Sequence, residues 1–237
     1  MEIHQFKDPA TLSQAAAEWI VSLMEERLSK NDRFTWVLSG GNTPRMLYSL
    51  MASPPLNNRI PWSKLHLFWG DERDVPFEDP RNNGKMAFDS LLSRVPVPPG
   101  QIHYIRTNIP AEQSAIEYDR ILHEYFKEGG ESFDLVLLGM GPDGHTLSLF
   151  PGEKVIHEEQ AWTKSYWLPS QNMNRITLTA PLVNRSARIA FLVTGADKAK
   201  SLQQVLHGPY DPDRFPSQII KPVNGELHWF VDEEAMG

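Results

Sequence analysis

Asp143 and His145 stand two residues apart in the run Gly139-Met140-Gly141-Pro142-Asp143-Gly144-His145-Thr146. An imidazole titrates near neutral pH and can move a proton, and an adjacent acid can orient the ring and support its charge. The apolar run from Leu135 to Leu138 reads as a buried strand that empties into this turn. In an open α/β sheet, ligands bind beyond the carboxyl ends of the strands. The glycines let a substrate approach the backbone closely. A lone histidine is usually structural, but an acid–base pair in a glycine turn after a buried strand points to proton transfer. Gly139-x-Gly141-x-x-Gly144 also matches the dinucleotide fingerprint. That reading is rejected, because Pro151-Gly152 cuts the following helix short and Asp143 would sit beside the pyrophosphate. Among the other histidines, His66 and His228 read as strand positions and the rest as surface.

Four further segments carry chemistry or ordinary structure. Ser39-Gly40-Gly41-Asn42-Thr43 joins a strand to a helix. It is either a tight capped turn or an anion site built from exposed amides at a helix start, with Ser39 and Thr43 as added donors. No lysine follows, so it is not a nucleotide P-loop. Gly70-Asp71-Glu72-Arg73-Asp74 is either a solvated charged loop or a polar cluster. In the cluster, Asp71 would accept sugar hydroxyls and Arg73 would face an anion or a developing oxyanion. Arg175 opens a strand and Lys198 falls in the first turn of a helix, where a cation opposes the dipole unless it meets an anion. Each is a surface charge or a counter-ion.

These segments need a scaffold, and the hydrophobic periodicity supplies one. Helices are predicted over 10–28, 44–51, 83–92, 111–126 and 196–206, with Ile116, Ile121, Leu122 and Tyr125 as the inner face of the fourth. Strands are predicted over 34–38, 65–69, 102–105, 133–138, 175–179, 187–193 and 227–231. The proline-rich stretch 207–222 reads as an irregular loop. The alternation predicts a single α/β domain spanning 1–237, with a mostly parallel twisted sheet and helices on both faces, Rossmann-like in class.

Composition narrows the partners. The 237 residues carry a net charge of -7, which disfavours general nucleic-acid binding but permits a local anion site. No apolar run is long enough to span a membrane, and no signal-peptide layout is present. There are no cysteines, which removes disulfides and thiolate chemistry and suits a reducing cytoplasm.

Taken together, the segments closely resemble the 6-phosphogluconolactonases. The matching residues are Ser39 to Pro44, Gly70 to Arg73 with Val75-Pro76, Gly139 to Thr146, Ser148 to Gly152, Arg175 to Thr177, and Gly195 to Lys198, in the family's order. The resemblance implies a fold shared with glucosamine-6-phosphate deaminases and ribose-5-phosphate isomerases. It implies hydrolysis of 6-phospho-glucono-1,5-lactone to 6-phosphogluconate in the oxidative pentose phosphate pathway, without metal or cofactor. His145 would deprotonate water, Asp143 would orient the ring, and Arg73 or nearby amides would stabilise the oxyanion. Ser39, Gly40, Gly41, Asn42 and Thr43 would hold the phosphate, with Arg175 and Lys198 as counter-charges. Asp71 would hold ring hydroxyls, and Asn83 fits an expected asparagine. Arg81, Asn82 and Leu147 depart from the family pattern. The protein is expected to be a monomer or weak homodimer. Two alternatives stand beside this reading: a glucosamine-6-phosphate isomerase/deaminase, and a non-catalytic sugar-phosphate sensor. The deaminases carry a glutamate soon after the histidine, whereas here no acid follows His145 before Glu153.

Overall fold

The computed structural model describes Met1–Gly237. In chain order the elements are β1 (Glu2–Phe6), α1 (Pro9–Leu28), β2 (Phe34–Leu38), α2 (Asn42–Met51), β3 (Leu65–Trp69) and β4 (Asp71–Arg73). They continue with α3 (Asn83–Ser90), β5 (Ile102–His103), α4 (Ala111–Tyr125), β6 (Leu135–Gly139), β7 (Thr163–Leu168) and β8 (Met173–Leu178). The last are α5 (Ala180–Val183), β9 (Arg188–Val193), α6 (Ala199–His207), β10 (Glu226–Asp232) and α7 (Glu233–Met236).

Seven strands form one sheet in the order β1-β10-β9-β6-β2-β3-β5, and every pairing in it is parallel. All five side chains of β2 are buried. Successive strand side chains point to opposite faces, so both faces of the sheet are covered. From β2 the chain builds outward through β3 and β5, then returns to place β6 on the other side of β2. The connections leaving β2 and β6 therefore diverge at a topological switch point, where a crevice opens at the strand ends. The two glycine turns singled out in the sequence follow these two strands.

The predicted strand at 175–179 belongs elsewhere. It is β8, the centre of a second, antiparallel sheet in the order β4-β8-β7. Three strands were not predicted: β1, β4 and β7. The register of the small sheet sets Arg73 opposite Arg175 and Asp71 opposite Thr177. Ile116, expected on the inner face of α4, is 65% exposed, while Leu122 is buried. The helix predicted at 196 begins as a 3-10 turn, Ala196–Lys198, before α6. The proline-rich stretch contains a short 3-10 turn, Pro216–Ile219.

Entry into β6 is pinned to β2 by a buried carboxylate. Asp134 Oδ2 accepts from the Thr35 backbone N–H at 2.8 Å and the Thr35 hydroxyl at 2.8 Å, and Oδ1 accepts from Arg27 Nε at 2.7 Å. The side chain thus fixes the strand that delivers His145 beside the strand that delivers Gly40. Removing it leaves the buried Thr35 amide without its acceptor and leaves Arg27 with Glu131 alone. Asp134→Ala should lower the unfolding free energy by about 2–3 kcal/mol in urea titration. A loss below about 0.5 kcal/mol would show that the carboxylate does not organise this junction.

Candidate active site

Beyond β2, β3 and β6 lies a polar cleft of about 150 Å³. Its walls are Ser39, Gly40 and Gly41 from the first turn, Asp71, Arg73 and Asn83 from the second, Gly139, Met140, Gly141, His145 and Leu147 from the third, and Arg175 from β8. A larger groove of about 690 Å³ runs along α4 and β7, but no histidine lines it.

The histidine turn is held from several directions. Gly141 N–H donates to the His145 carbonyl at 2.9 Å, and the Thr146 hydroxyl donates to the Gly139 carbonyl at 2.8 Å. Gly144 adopts φ +79°, a left-handed conformation that glycine enters without a Cβ penalty. Its carbonyl accepts from both the N–H and the hydroxyl of Ser217, which fastens the proline-rich stretch beside the turn. His145 Nδ1 lies 2.6 Å from Asp143 Oδ1. An ionised carboxylate only accepts, so the shared proton belongs to Nδ1 and Nε2 keeps its lone pair. Burial raises the Asp143 carboxyl, but the hydrogen bond and charge of His145 outweigh it and hold the group below the ordinary range. The imidazole stacks on Phe150 at 4.0 Å between ring centres. A Cβ on Gly141 would lie 2.1 Å from Nδ1, so the backbone must be bare there.

The turn after β2 fits an anion. Tyr48 from α2 donates to the Ser39 carbonyl and accepts from its N–H, both at 2.9 Å. Gly41 caps α2 at φ +106° with no side-chain cap. The amides of the first turn therefore face outward without an intrahelical partner. Gly40 is required for a second reason, because a Cβ there would meet Asn83 Oδ1 at 1.9 Å. Asn42 and Thr43 do not line the cleft, and the Thr43 hydroxyl bonds that of Thr194 at 2.8 Å. Their contribution is limited to the backbone.

The charged run after β3 is a buried network, not a solvated loop. Arg175, 2% exposed, donates from Nη2 to Asp71 Oδ2 at 2.7 Å and from Nε to the Ser148 hydroxyl at 2.9 Å. Ser148 in turn donates to Asp71 Oδ2 at 2.7 Å. Burial works against the Asp71 charge, yet Arg175 and Arg73 together with Ser148 hold its carboxyl below the usual carboxylate range. Arg73 Nη1 donates to Asn83 Oδ1 at 2.8 Å and the Arg81 carbonyl at 2.9 Å, and no carboxylate neutralises it. Asn83 Nδ2 donates back to the Asp71 carbonyl at 3.0 Å. Asn82, one of the departures from the family pattern, caps α3 by accepting from the Lys85 N–H at 2.8 Å.

Two expectations need correction. Arg175 is not a free counter-charge, since its guanidinium is committed to Asp71. Lys198 lies outside the cleft wall, and its ammonium is held by the neighbouring Asp197, which also answers its conflict with the helix dipole. The available cation is Arg73. Glu72, Ser148 and Phe150 fall within the matching segments, but their roles emerge only from the fold. Glu72 is buried and accepts the backbone N–H groups of Arg73, Asn83 and Gly84 at 2.8–2.9 Å. Burial still pushes its carboxyl up to about 7. Ser148 offered a signal, a hydroxyl inside the apolar run Leu147 to Phe150; Glu72 offered none that set it apart from its charged neighbours.

Known proteins resemble this chain over most of its length. Residues 7–229 match the family model described as glucosamine-6-phosphate isomerases/6-phosphogluconolactonase. The chain belongs to that family. It is 40% identical to a probable chloroplastic 6-phosphogluconolactonase of Oryza sativa subsp. indica, over 95% of this chain and 72% of the relative. It is 37% identical to the 6-phosphogluconolactonase of Nostoc sp., over 96% and 94% of the two chains. The solved 6-phosphogluconolactonase of Trypanosoma brucei superposes with a TM-score of 0.88 at 26% identity, covering 99% of this chain and 97% of that one. Family membership extends through all the segments that build the cleft.

Breaking the buried pair strands a charge. Arg175→Ala should cost about 3–5 kcal/mol of stability, because Asp71 loses its partner inside the fold. Denaturant midpoints would check this, and an unchanged midpoint would mean that the pair is dispensable. The Asp71 carboxyl is lowered on folding, so its stabilisation is complete above the ordinary aspartate value. It is lost as pH falls through the lower folded-state value. Acid titration of Asp71→Asn should therefore show a flatter decline in stability below the ordinary aspartate range than the parent protein.

Proposed function

We infer that the protein hydrolyses 6-phospho-D-glucono-1,5-lactone to 6-phosphogluconate in the oxidative pentose phosphate pathway. The observation that carries this reading is a base and an anion cradle on one cleft: His145 with Nε2 free, and the Gly40–Gly41 turn at the start of α2. A lactone is an activated ester and needs no covalent intermediate. Water bound at His145 gives its proton to Nε2 as its oxygen attacks C1. Asp143 supports the imidazolium that forms. The carbonyl oxygen becomes an alkoxide, and the Arg73 guanidinium is the uncompensated positive group in the cleft wall to receive that charge. Collapse of the tetrahedral species breaks the C1 bond to the ring oxygen, which takes the proton back from His145. The phosphate on the α2 amides fixes the far end of the sugar, so C1 arrives oriented. Asp71 Oδ1, which is not engaged by Arg175, is the acceptor for a ring hydroxyl.

The deaminase reading finds no support in the cleft, because Glu153, the first acid after His145, does not line it. A pure sensor has no use for the His145–Asp143 pair. We also read residues 1–237 as one domain, supported by one continuous core of 59 buried residues. A cytoplasmic monomer or weak homodimer completes the proposal, with no nucleic-acid or membrane partner. No helix is long and apolar enough to cross a membrane, and the lack of cysteine suits a reducing compartment.

His145→Ala should lower kcat for the phosphorylated lactone by on the order of 10²-fold, after correction for spontaneous hydrolysis. A near-normal rate would remove the base assignment. Gly41→Ala strains a residue at φ +106° and tilts the α2 amides. It should raise KM for the phosphorylated lactone and leave the unphosphorylated lactone little changed. Equal losses on both substrates would place the phosphate elsewhere.

A further inference from the structure

At the opposite end of the sheet from the cleft, three donor atoms converge. Glu2 and His4 lie two residues apart on β1 and so share one face of that strand. His228 on β10 is the register partner of Glu2. His4 Nε2 lies 3.2 Å from His228 Nδ1 and 3.7 Å from Glu2 Oε2, and His228 Nδ1 lies 3.5 Å from Glu2 Oε2. We propose that Glu2, His4 and His228 form a binding site for a divalent transition-metal ion of the zinc class.

The spacing carries the argument. A tetrahedral ion with bonds of about 2.0–2.1 Å to nitrogen and oxygen sets its ligand atoms about 3.3–3.4 Å apart. The three observed separations bracket that value closely, so the ion can enter with side-chain adjustments of a few tenths of an ångström. Two imidazoles and one carboxylate are a common three-ligand set for such an ion, with the fourth position left to water. Glu2 is the exposed member, with its side chain 64% accessible, while that of His228 is 4% accessible. The ion would reach the site from the solvent side of β1 and settle against a buried ring.

The surroundings of His228 supply the second half of the argument. Its other nitrogen, Nε2, faces Glu226 Oε2 at 3.3 Å, and Arg188 Nε holds the same oxygen at 2.9 Å. A carboxylate accepts only, so the His228 proton sits on Nε2 and the Nδ1 lone pair points at His4 and Glu2. A carboxylate behind a ligating imidazole is the usual outer partner of a metal-bound histidine, where it fixes the tautomer and raises ligand basicity. The rings are also fixed in place. Trp19 packs on His228 at 4.8 Å, and Phe230 stacks on His4 at 4.7 Å. On binding, the His4 proton moves from Nε2 to Nδ1, and the ion replaces the hydrogen bond between the two rings.

The test uses the whole protein, freed of metal by a chelator, with Zn²⁺ added in a calorimeter at neutral pH. One tight site per chain is expected, together with a rise in Tm. His4→Ala should abolish the tight site and the Tm rise, and Glu226→Gln should weaken binding by about 10-fold or more. Tetrahedral Co²⁺ absorbs strongly in the visible, so Co²⁺ should colour the parent protein and not His4→Ala. Both variants lie away from the cleft and should keep the parent lactonase rate without added metal. Equal stoichiometry and affinity in the parent and in His4→Ala would overturn the proposal, as would the absence of a tight site in the parent. Zn²⁺ bound through His145 would survive His4→Ala and disappear in His145→Ala, and that result also counts against it.

Discussion

The Asp71–Arg175 pair is the constraint on which the cleft depends. Arg175 belongs to the small antiparallel sheet, Asp71 begins the strand after β3, and the Ser148 hydroxyl between them belongs to the histidine segment. One salt bridge with a shared hydroxyl therefore ties three stretches of chain. Buried ion pairs contribute little net stability relative to apolar packing, because desolvation offsets attraction. Their strength is in geometry: a guanidinium with fixed donors accepts few arrangements of its partners. Asp71 forms its salt bridge with Arg175, and the Arg73 guanidinium makes none, donating instead to Asn83 and the Arg81 carbonyl. Glu72 secures that arrangement from below by gathering the amides of Arg73, Asn83 and Gly84.

The two sheets divide the labour. The parallel sheet brings the Gly40–Gly41 turn and the His145 turn together because β2 and β6 are neighbours at the switch point. Alone it would supply an anion cradle and a base but no cation. The antiparallel sheet adds β4 and β8, whose register sets Arg73 against Arg175. Asn83 then links the halves: it bonds Arg73 and Asp71, and its side chain occupies the space that Gly40 leaves open.

Local chemistry was legible in the sequence, and long-range pairing was not. The His145–Asp143 contact spans two residues, and the glycine turns announce themselves by composition, so both were visible. β2 and β3 fall where the apolar runs place them because both faces of those strands are covered. β4 is three charged residues, Asp71-Glu72-Arg73, with no apolar side chain to mark a strand. The partner of Arg175 lies 104 residues away, so its commitment to Asp71 could not be read from neighbours. Lys198 is the reverse case: its partner Asp197 is adjacent in sequence, and only the fold shows that it stands outside the cleft wall. Ile116 followed helical periodicity but faces the groove beside β7, a surface that periodicity cannot distinguish from the core.

The 2.6 Å contact with Asp143 and the stack on Phe150 hold the imidazole of His145 in one orientation, over a Gly141 backbone left bare beside it. A side chain frozen during folding has already surrendered its rotational entropy, so an arriving sugar need not supply that ordering from its own binding energy. The ring behaves as a fixed fitting and not as a moving arm. Selectivity in this centre then rests with the shape and charge of the guest, because the host has little left to adjust.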